Sequence, residues 1–308
     1  SLRIDYRKGC QADRPNANDM DWSTGEAKDA DVVIAAMGID ANIEGEEGDA
    51  IQSPHRGDRV DCALPENQLS FLRALVEAIN SREKKARLVV LLFGGSHISI
   101  PDIHEAADAV LQVWYPGEAG GPAIAKILFG EESPSGRLPL SVPYSIGDLP
   151  AYDNYSMAGR TYRFMDPERM LYPFGFGLSY TRFRYGQMEA VDAGEWQCGQ
   201  PAEFKVTVSN IGDVAGREVV QAYLEYLDRA PDDPRLSFVA CEKVLLQAGE
   251  SETITLTLGG EAFLRYDENG DQLPAPGRYR LHVAGSLPVG RSRELGADEG
   301  CSLEIKVS

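Results

Sequence analysis

The first half of the chain alternates continuous apolar runs with segments of helical period. Apolar runs occupy residues 31–38, 88–93 and 109–114. Runs of this length, apolar on both faces, are typical of buried parallel strands. Between the first two runs a helix is predicted from Pro65 to Asn80, with an apolar stripe of Leu69, Leu72, Leu75, Val76 and Ile79. A second helix is predicted at 121–129. This alternation predicts a mostly parallel α/β sandwich.

The second half changes to a period of two. Apolar and polar residues alternate over 204–208, 254–258, 279–283 and 303–307, with turn signals such as Asn210-Ile211-Gly212-Asp213 between them. Short alternating strands of this kind predict an immunoglobulin-like β-sandwich. The fold class expected for the whole chain is therefore α/β followed by all-β.

The change of period sets the expected domain limits. Residues 1–24 are interpreted as an N-terminal linker segment, 25–182 as the α/β sandwich domain and 183–308 as the β-sandwich domain. The 308 residues, 43% of them hydrophobic, are enough for two domains of ordinary size.

Charge narrows the classes of partner. The formal net charge is −18, which repels phosphate backbones and argues against nucleic-acid binding. No apolar run reaches the roughly 18–20 residues that span a bilayer, so no membrane partner is expected.

The five cysteines are scattered and lack metal-ligand or disulfide spacing, which indicates reduced thiols and favours a cytoplasmic location. No metal or other cofactor is expected.

A long acidic loop is the most unusual feature of the first half. About 25 residues separate the first strand from the helix at Pro65, whereas such loops usually have 2–6. The loop leaves the carboxyl end of a parallel strand, where open α/β sheets place ligands. It begins with five carboxylates within residues 40–49: Asp40, Glu44, Glu46, Glu47 and Asp49.

Three interpretations of this loop remain open from the residues alone. It can be a solvated acidic surface. It can be a calcium loop, since Asp40, Asn42 and Glu44 fit the first ligand positions, but Ile51 stands where a bidentate Glu is needed. It can also supply a general acid, because neighbouring carboxylates raise the pKa of a carboxyl group.

Several segments resemble glycoside hydrolase family 3. In the first half they are MGID (37–40), IEGEE (43–47), GDRVDCALPENQ (57–68), WYPG (114–117), ILFGEESPSGRLPLSVP (127–143), GRTYRF (159–164) and LYPFGFGLSYTRF (171–183). The second half resembles the fibronectin type III-like domain of that family in VSNIGDVAGREVVQAYL (208–224), KVLLQAGES (243–251) and PAPGRYRLHVAGS (274–286). The resemblance covers about residues 25–308.

The resemblance implies a retaining exo-acting β-glycosidase, a β-glucosidase or β-xylosidase, that removes terminal non-reducing sugars from oligosaccharides or aryl glycosides without a metal. One carboxylate forms a glycosyl-enzyme, and a second protonates the leaving oxygen and then activates water. In this family the nucleophile is an Asp on a preceding TIM-like barrel. The acid/base is a Glu on a loop of the second domain.

The resemblance also assigns residues. The family pattern around the acid/base reads Glu-x-Glu-Gly followed by Asp-Arg, which makes Glu46 the first candidate and Glu44 and Glu47 the alternatives. Asp58 and Arg59 supply the later Asp-Arg and are expected to anchor the loop or contact substrate. Asp40 is expected either to hold the loop or to face the sugar.

The barrel is missing from this sequence. The roughly 30 residues before the first strand are too few for a barrel, which takes at least about 200. Asp21-Trp22 resembles the surroundings of the family nucleophile but follows no predicted strand. The chain is therefore expected to be the C-terminal portion of an enzyme, inactive alone. Two alternatives are a barrel-less carbohydrate-binding or structural protein and an enzyme that obtains its barrel from another chain.

Overall fold

The computed structural model describes residues 2–15, 22–45, 59–191, 196–267 and 269–308. The chain divides into two compact units. The first comprises residues 1–120 and 144–148, and the second comprises 121–143 and 149–308. The domain limit predicted at 182/183 lies inside the second unit. The division into compact units does not test that limit, which stays a prediction.

The first unit contains a three-stranded parallel sheet with the strand order β1-β2-β3. Its elements are α1 (Ser23–Ala27), β1 (Val32–Gly38), α2 (Glu66–Asn80), β2 (Arg87–Phe93), α3 (Pro101–Ala106) and β3 (Ala109–Trp114). The strands and α2 agree with the apolar runs and the helical stripe. Pro65 lies at the N-cap of α2, where its missing N–H leaves no helical hydrogen bond unmade.

One face of the sheet packs against α2. Leu72, fully buried on the helix, lies in the same core as Ala35 and Met37 of β1 and Leu92 of β2. The prediction that the first strand is buried on both faces is wrong for this chain. Val32 and Ile34 point away from that core and are about half exposed, because among the described residues α2 covers only the other face of β1.

The N-terminal segment packs against α2. The Nδ2 group of Asn67 donates to the carbonyl oxygens of Gln11 (2.6 Å) and Arg14 (3.0 Å). The Nε2 group of Gln68 donates to the carbonyl oxygen of Ala12 at 2.7 Å. Residues 11–14, assigned to a linker from the sequence, therefore satisfy the amide groups of two side chains on α2.

The second unit is built around two antiparallel sheets with strand orders β10-β7-β6 and β14-β13-β8-β9. These strands are β6 (Phe183–Ala190), β7 (Ala202–Asn210), β8 (Gly216–Tyr226), β9 (Ser237–Leu246), β10 (Ser251–Leu258), β13 (Gly277–Ala284) and β14 (Cys301–Val307). Most of α4 (Gly120–Leu128) also lies in this unit. Its smaller elements are β4 (Val142–Pro143), α5 (Thr161–Phe164), β5 (Met170–Tyr172), β11 (Leu264–Tyr266), β12 (Gln272–Pro274) and α6 (Gly290–Glu294).

The strand β8 is buried on both faces. Val220, Ala222 and Leu224 belong to the core between the two sheets. On the opposite face Tyr223 is fully buried and makes edge-on ring contacts with Phe174 and Phe238. The segment 161–176 thus covers the outer face of β8 and extends the hydrophobic core of the second unit.

A buried ion pair joins two segments of the second unit. The guanidinium of Arg137 donates to both carboxylate oxygens of Glu218 at 3.1–3.2 Å, and both side chains are nearly inaccessible. The hydroxyl of Tyr185 also donates to Glu218, at 3.2 Å. Burial raises the pKa of the Glu218 carboxyl, while Arg137 and Tyr185 oppose that rise.

Two further observations concern the cysteines and the helices. Cys62, Cys198, Cys241 and Cys301 form no disulfide within the part of the chain that the structure describes. Among the helices in the described ranges, none has the length and apolar composition needed to cross a bilayer.

Candidate functional site

The carboxyl ends of the three parallel strands lie side by side. Gly38 of β1 is paired with Phe93 of β2, and Phe93 is paired with Trp114 of β3. The buried side chain of Gln68 fixes the end of β1, because it accepts a hydrogen bond from the Gly38 N–H (2.9 Å) and donates to the Gly38 carbonyl (2.6 Å). The segments that follow the three strands therefore start from one edge of the sheet.

Asp40 caps the turn that follows β1. Its Oδ1 accepts hydrogen bonds from the backbone N–H groups of Asn42 (2.9 Å) and Ile43 (3.1 Å), a local arrangement typical of Asp in turns. The side chain is exposed. These bonds are compatible with the role of holding the start of the loop, and the role of Asp40 stays a prediction.

Glu44 is held by groups that follow β2 and β3. Its Oε1 accepts from the hydroxyl of Ser96, and its Oε2 accepts from the Gly95 N–H (3.0 Å) and the Tyr115 hydroxyl (2.6 Å). Gly95 permits this close approach. A Cβ at that position would lie 2.7 Å from the Tyr115 ring and 2.9 Å from Glu44 Oε2.

The backbone before Tyr115 is unusual. The pairing of β2 with β3 shifts register between Leu92 and Phe93, and Trp114 has a left-handed conformation with φ of 61°. A bulky residue in this region carries strain, which occurs mainly where surrounding contacts or function require it. Here the strained residue immediately precedes Tyr115, whose hydroxyl binds Glu44.

Arg59 binds to the same segment after β2 from the other end of the acidic loop. Its Nη1 donates to Ser96 Oγ (2.7 Å) and to the His97 carbonyl (3.0 Å), and its Nη2 donates to the Ala63 carbonyl (2.7 Å). These bonds are of the kind that the expected anchoring role requires, and the role of Arg59 stays a prediction. Ser96 contacts both Glu44 and Arg59, although these two residues are 15 positions apart in the sequence.

The electrostatics of Glu44 favour a fixed carboxylate. Burial acts to raise its pKa, but hydrogen bonds from Ser96, Tyr115 and Gly95, with the nearby charge of Arg59, together lower it. A group in this environment stays ionised and is poorly suited to donate a proton near neutral pH. Burial and Arg59 lower the pKa of His97, which therefore adds no positive charge near neutral pH.

The candidate residues have different outcomes. The structure brings Glu44 and Arg59 together through Ser96 and leaves Asp40 in its own turn. Glu46, Glu47 and Asp58 lie outside the described residues, as do Asp21 and Ile51.

Two partners of Glu44, the hydroxyls of Ser96 and Tyr115, were not predicted from the sequence. The only signal for either was its position just after a parallel strand. Within the described ranges, no group of three or more His, Cys, Asp or Glu side chains could hold a metal.

Sequence comparison identifies both halves of the chain. The profile of the Glycosyl hydrolase family 3 C-terminal domain matches residues 4–180, which is more than half of the chain. The chain belongs to glycoside hydrolase family 3. The profile of the Fibronectin type III-like domain matches residues 218–287. The resemblance and the fold class expected from the sequence are both confirmed.

Relatives in the family include enzymes with two named activities. The chain is 35% identical over 258 residues to a xylan 1,4-beta-xylosidase of Xylanibacter ruminicola, covering 83% of the chain and 29% of the relative. It is 30% identical over 275 residues to a periplasmic beta-glucosidase of Salmonella typhimurium, covering 86% and 34%. The chain thus spans about a third of the length of these curated relatives.

A solved structure shows the same fold. The family 3 beta-glucosidase of Bifidobacterium adolescentis superposes with a TM-score of 0.75 at 29% identity, over 97% of this chain and 42% of that one. A beta-glucosidase mutant of Listeria innocua, solved in complex with laminaribiose, superposes with a TM-score of 0.71 at 28% identity, over 92% and 37%.

Proposed function

We propose that this chain provides the acid/base half of a retaining, exo-acting β-glycosidase active site. The substrate class is a terminal non-reducing β-D-glucosyl or β-D-xylosyl residue on an oligosaccharide or aryl glycoside. The nucleophilic Asp is contributed by a TIM-like barrel outside these 308 residues. Family membership and the names of the relatives support this proposal.

The observation that carries the proposal is the anchoring of the acidic loop at both ends. Glu44 and Arg59 are held at the carboxyl edge of the parallel sheet, the edge at which α/β sheets place ligands. The segment between them contains Glu46, Glu47 and Asp58. Both ends of this segment are thereby confined to one region of the first unit.

We assign the acid/base role to Glu46. Glu44 accepts three hydrogen bonds and its pKa is lowered, so it is the least suited of the three glutamates to donate a proton. Glu46 has the position that the family pattern gives to the acid/base. In the first step it protonates the leaving oxygen, and in the second it removes a proton from the water that attacks the glycosyl-enzyme.

The test uses the full-length enzyme that contains this segment. In Glu46→Ala, substrates with poor leaving groups should lose about 10²–10⁴-fold in rate, because they depend most on protonation. Activated aryl glycosides should still form the glycosyl-enzyme, which should accumulate because no base activates water. Azide needs no base, so it should restore turnover and give the β-glycosyl azide.

The matched controls are Glu44→Ala and Glu47→Ala, neither of which should respond to azide. Azide rescue of Glu44→Ala with none for Glu46→Ala would move the assignment to Glu44. Failure of all three variants to respond would place the acid/base outside this loop.

A further inference from the structure

The hydroxyl of Ser96 joins the two ends of the acidic loop. A serine hydroxyl has one proton, so it can donate one hydrogen bond while its oxygen accepts others. Ser96 Oγ donates to Glu44 Oε1 and accepts from Arg59 Nη1 at 2.7 Å. The direction of both bonds is fixed by chemistry, because a guanidinium can only donate and an ionised carboxylate can only accept.

Each end also has anchors that do not involve Ser96. Glu44 is bound by the Gly95 N–H and the Tyr115 hydroxyl. Arg59 is bound by the carbonyl oxygens of His97 and Ala63. Removing the Ser96 hydroxyl would therefore remove the direct link between Glu44 and Arg59, while leaving each of them bound to the backbone of the segment after β2.

We propose that Ser96 is a positioning residue for the acid/base. In this proposal Glu44 is the fixed, ionised carboxylate that accepts the Ser96 hydrogen bond, and it donates no proton to the substrate. The inference rests on the proposed function, in which Glu46 lies between the two coupled ends. Proton transfer to a leaving oxygen requires close placement of the acid, and a displacement near 1 Å can reduce a rate by about 10²-fold. Through its bonds to Glu44 and Arg59, Ser96 holds the two ends of the segment that contains Glu46.

The test compares Ser96→Ala with Ser96→Thr, which retains a hydroxyl, and Tyr115→Phe, which removes one bond to Glu44. All are made in the full-length enzyme. For each variant the rate constant kcat/KM is measured with aryl glycosides whose leaving phenols span a range of pKa. Ser96→Ala should lose about 10–100-fold on the poorest leaving groups and little on the best, so the dependence on leaving-group pKa steepens. Ser96→Thr should recover most of the loss, and Tyr115→Phe should lie in between.

The matched control is Ser70→Ala. Ser70 also donates to a carboxylate, Glu66 at 3.0 Å, but on the exposed surface of α2. Its rates should equal those of the wild type for every leaving group. A merely structural role for Ser96 would lower the rates of all substrates by the same factor, which would overturn the positioning role.

Three outcomes separate this inference from the function on which it rests. Azide rescue of Glu46→Ala together with a steeper leaving-group dependence in Ser96→Ala supports both. Azide rescue with an unchanged dependence in Ser96→Ala and Tyr115→Phe overturns the positioning role and leaves the acid/base assignment intact. No azide rescue in Glu46→Ala overturns the assignment itself, and with it this inference, whatever the Ser96 variants do.

Discussion

Replacing Arg137 with Met removes a buried positive charge while keeping most of the apolar stem. In the native second unit Arg137 donates to both oxygens of Glu218 and, through Nε, to the Gly285 carbonyl at 3.2 Å. The Glu218 side chain is only 4% exposed. In Arg137→Met, Glu218 would keep the hydrogen bond that it accepts from the hydroxyl of Tyr185.

The size of the effect follows from the charge left behind. Removing one partner of a buried ion pair usually costs about 3–5 kcal/mol. Glu218 can limit that cost by taking up a proton. From an ordinary pKa of 4.5, protonation at pH 7 costs about 3.4 kcal/mol, since each pH unit is worth about 1.36 kcal/mol. We therefore expect a loss of about 3 kcal/mol in the free energy of unfolding at pH 7.

The loss should shrink on acidification. The folded-state pKa of Glu218 is already raised by burial, and removing Arg137 takes away a group that lowers it. A carboxyl whose folded pKa lies above its unfolded value stabilises the fold below the unfolded pKa and loses that contribution as the pH rises. At pH 5 protonation costs only about 0.7 kcal/mol, so the variant should approach the wild type by about 2–3 kcal/mol.

The assay is urea unfolding at pH 5 and pH 7, followed by the fluorescence of Trp196. This residue stacks on Phe204 in the core of the second unit, so it reports on that unit. Trp22 and Trp114 are replaced by Phe in all variants. The control Arg137→Met/Glu218→Gln has no charge at the site. Its difference in unfolding free energy from the wild type should change between pH 5 and pH 7 only as far as Glu218 of the wild type titrates. A loss below about 1 kcal/mol at pH 7, or an equal loss at both pH values, would refute the reasoning.

Two further predictions concern the isolated chain and one turn. The pure 308-residue chain should not hydrolyse aryl β-glucosides or β-xylosides above background, because the proposed nucleophile lies elsewhere; clear turnover would contradict that placement. Gly175→Ala should destabilise the second unit by about 2 kcal/mol or more in urea unfolding. The φ of Gly175 is +72°, and a Cβ there would overlap Gln221 Oε1 and lie 2.5 Å from the Tyr223 hydroxyl. The control is Gly130→Ala, where φ is +75° but a Cβ would meet no atom within 4 Å, so only the backbone strain of about 1–2 kcal/mol is expected. Equal losses in the two variants would contradict a steric clash at Gly175.

The sequence predicted those elements whose periodicity is set by a single neighbour. The stripe on α2 faces one core, and β7 and β10 alternate because one face of their sheet is buried. The strand β8 lacks that alternation over Val220–Leu224, because aromatic side chains cover its second face. The sequence of β8 alone does not predict that residues 161–176 and Phe238 pack on its second face.

The site was predicted in part for a similar reason. Carboxylate density and the family pattern singled out Glu44 and Arg59 within one loop. Their partners are far away in sequence, with Ser96 52 positions and Tyr115 71 positions after Glu44. What brings them together is the register of three strands and the left-handed backbone of Trp114, neither of which leaves a local signal.

The attachment of residues 11–14 to α2 bears on how this protein can be shortened. A version that starts at residue 25, the beginning of the α/β domain expected from the sequence, would lack the carbonyl oxygen of Ala12. The buried amide of Gln68 would then keep its two bonds to Gly38 but lose the acceptor for its second N–H. Loss of one such hydrogen bond costs about 0.5–1.5 kcal/mol when water can reach the freed N–H. The useful start of a shortened version is therefore determined by backbone acceptors upstream of the sheet, and a cut at the first strand would weaken the support beneath the acidic loop.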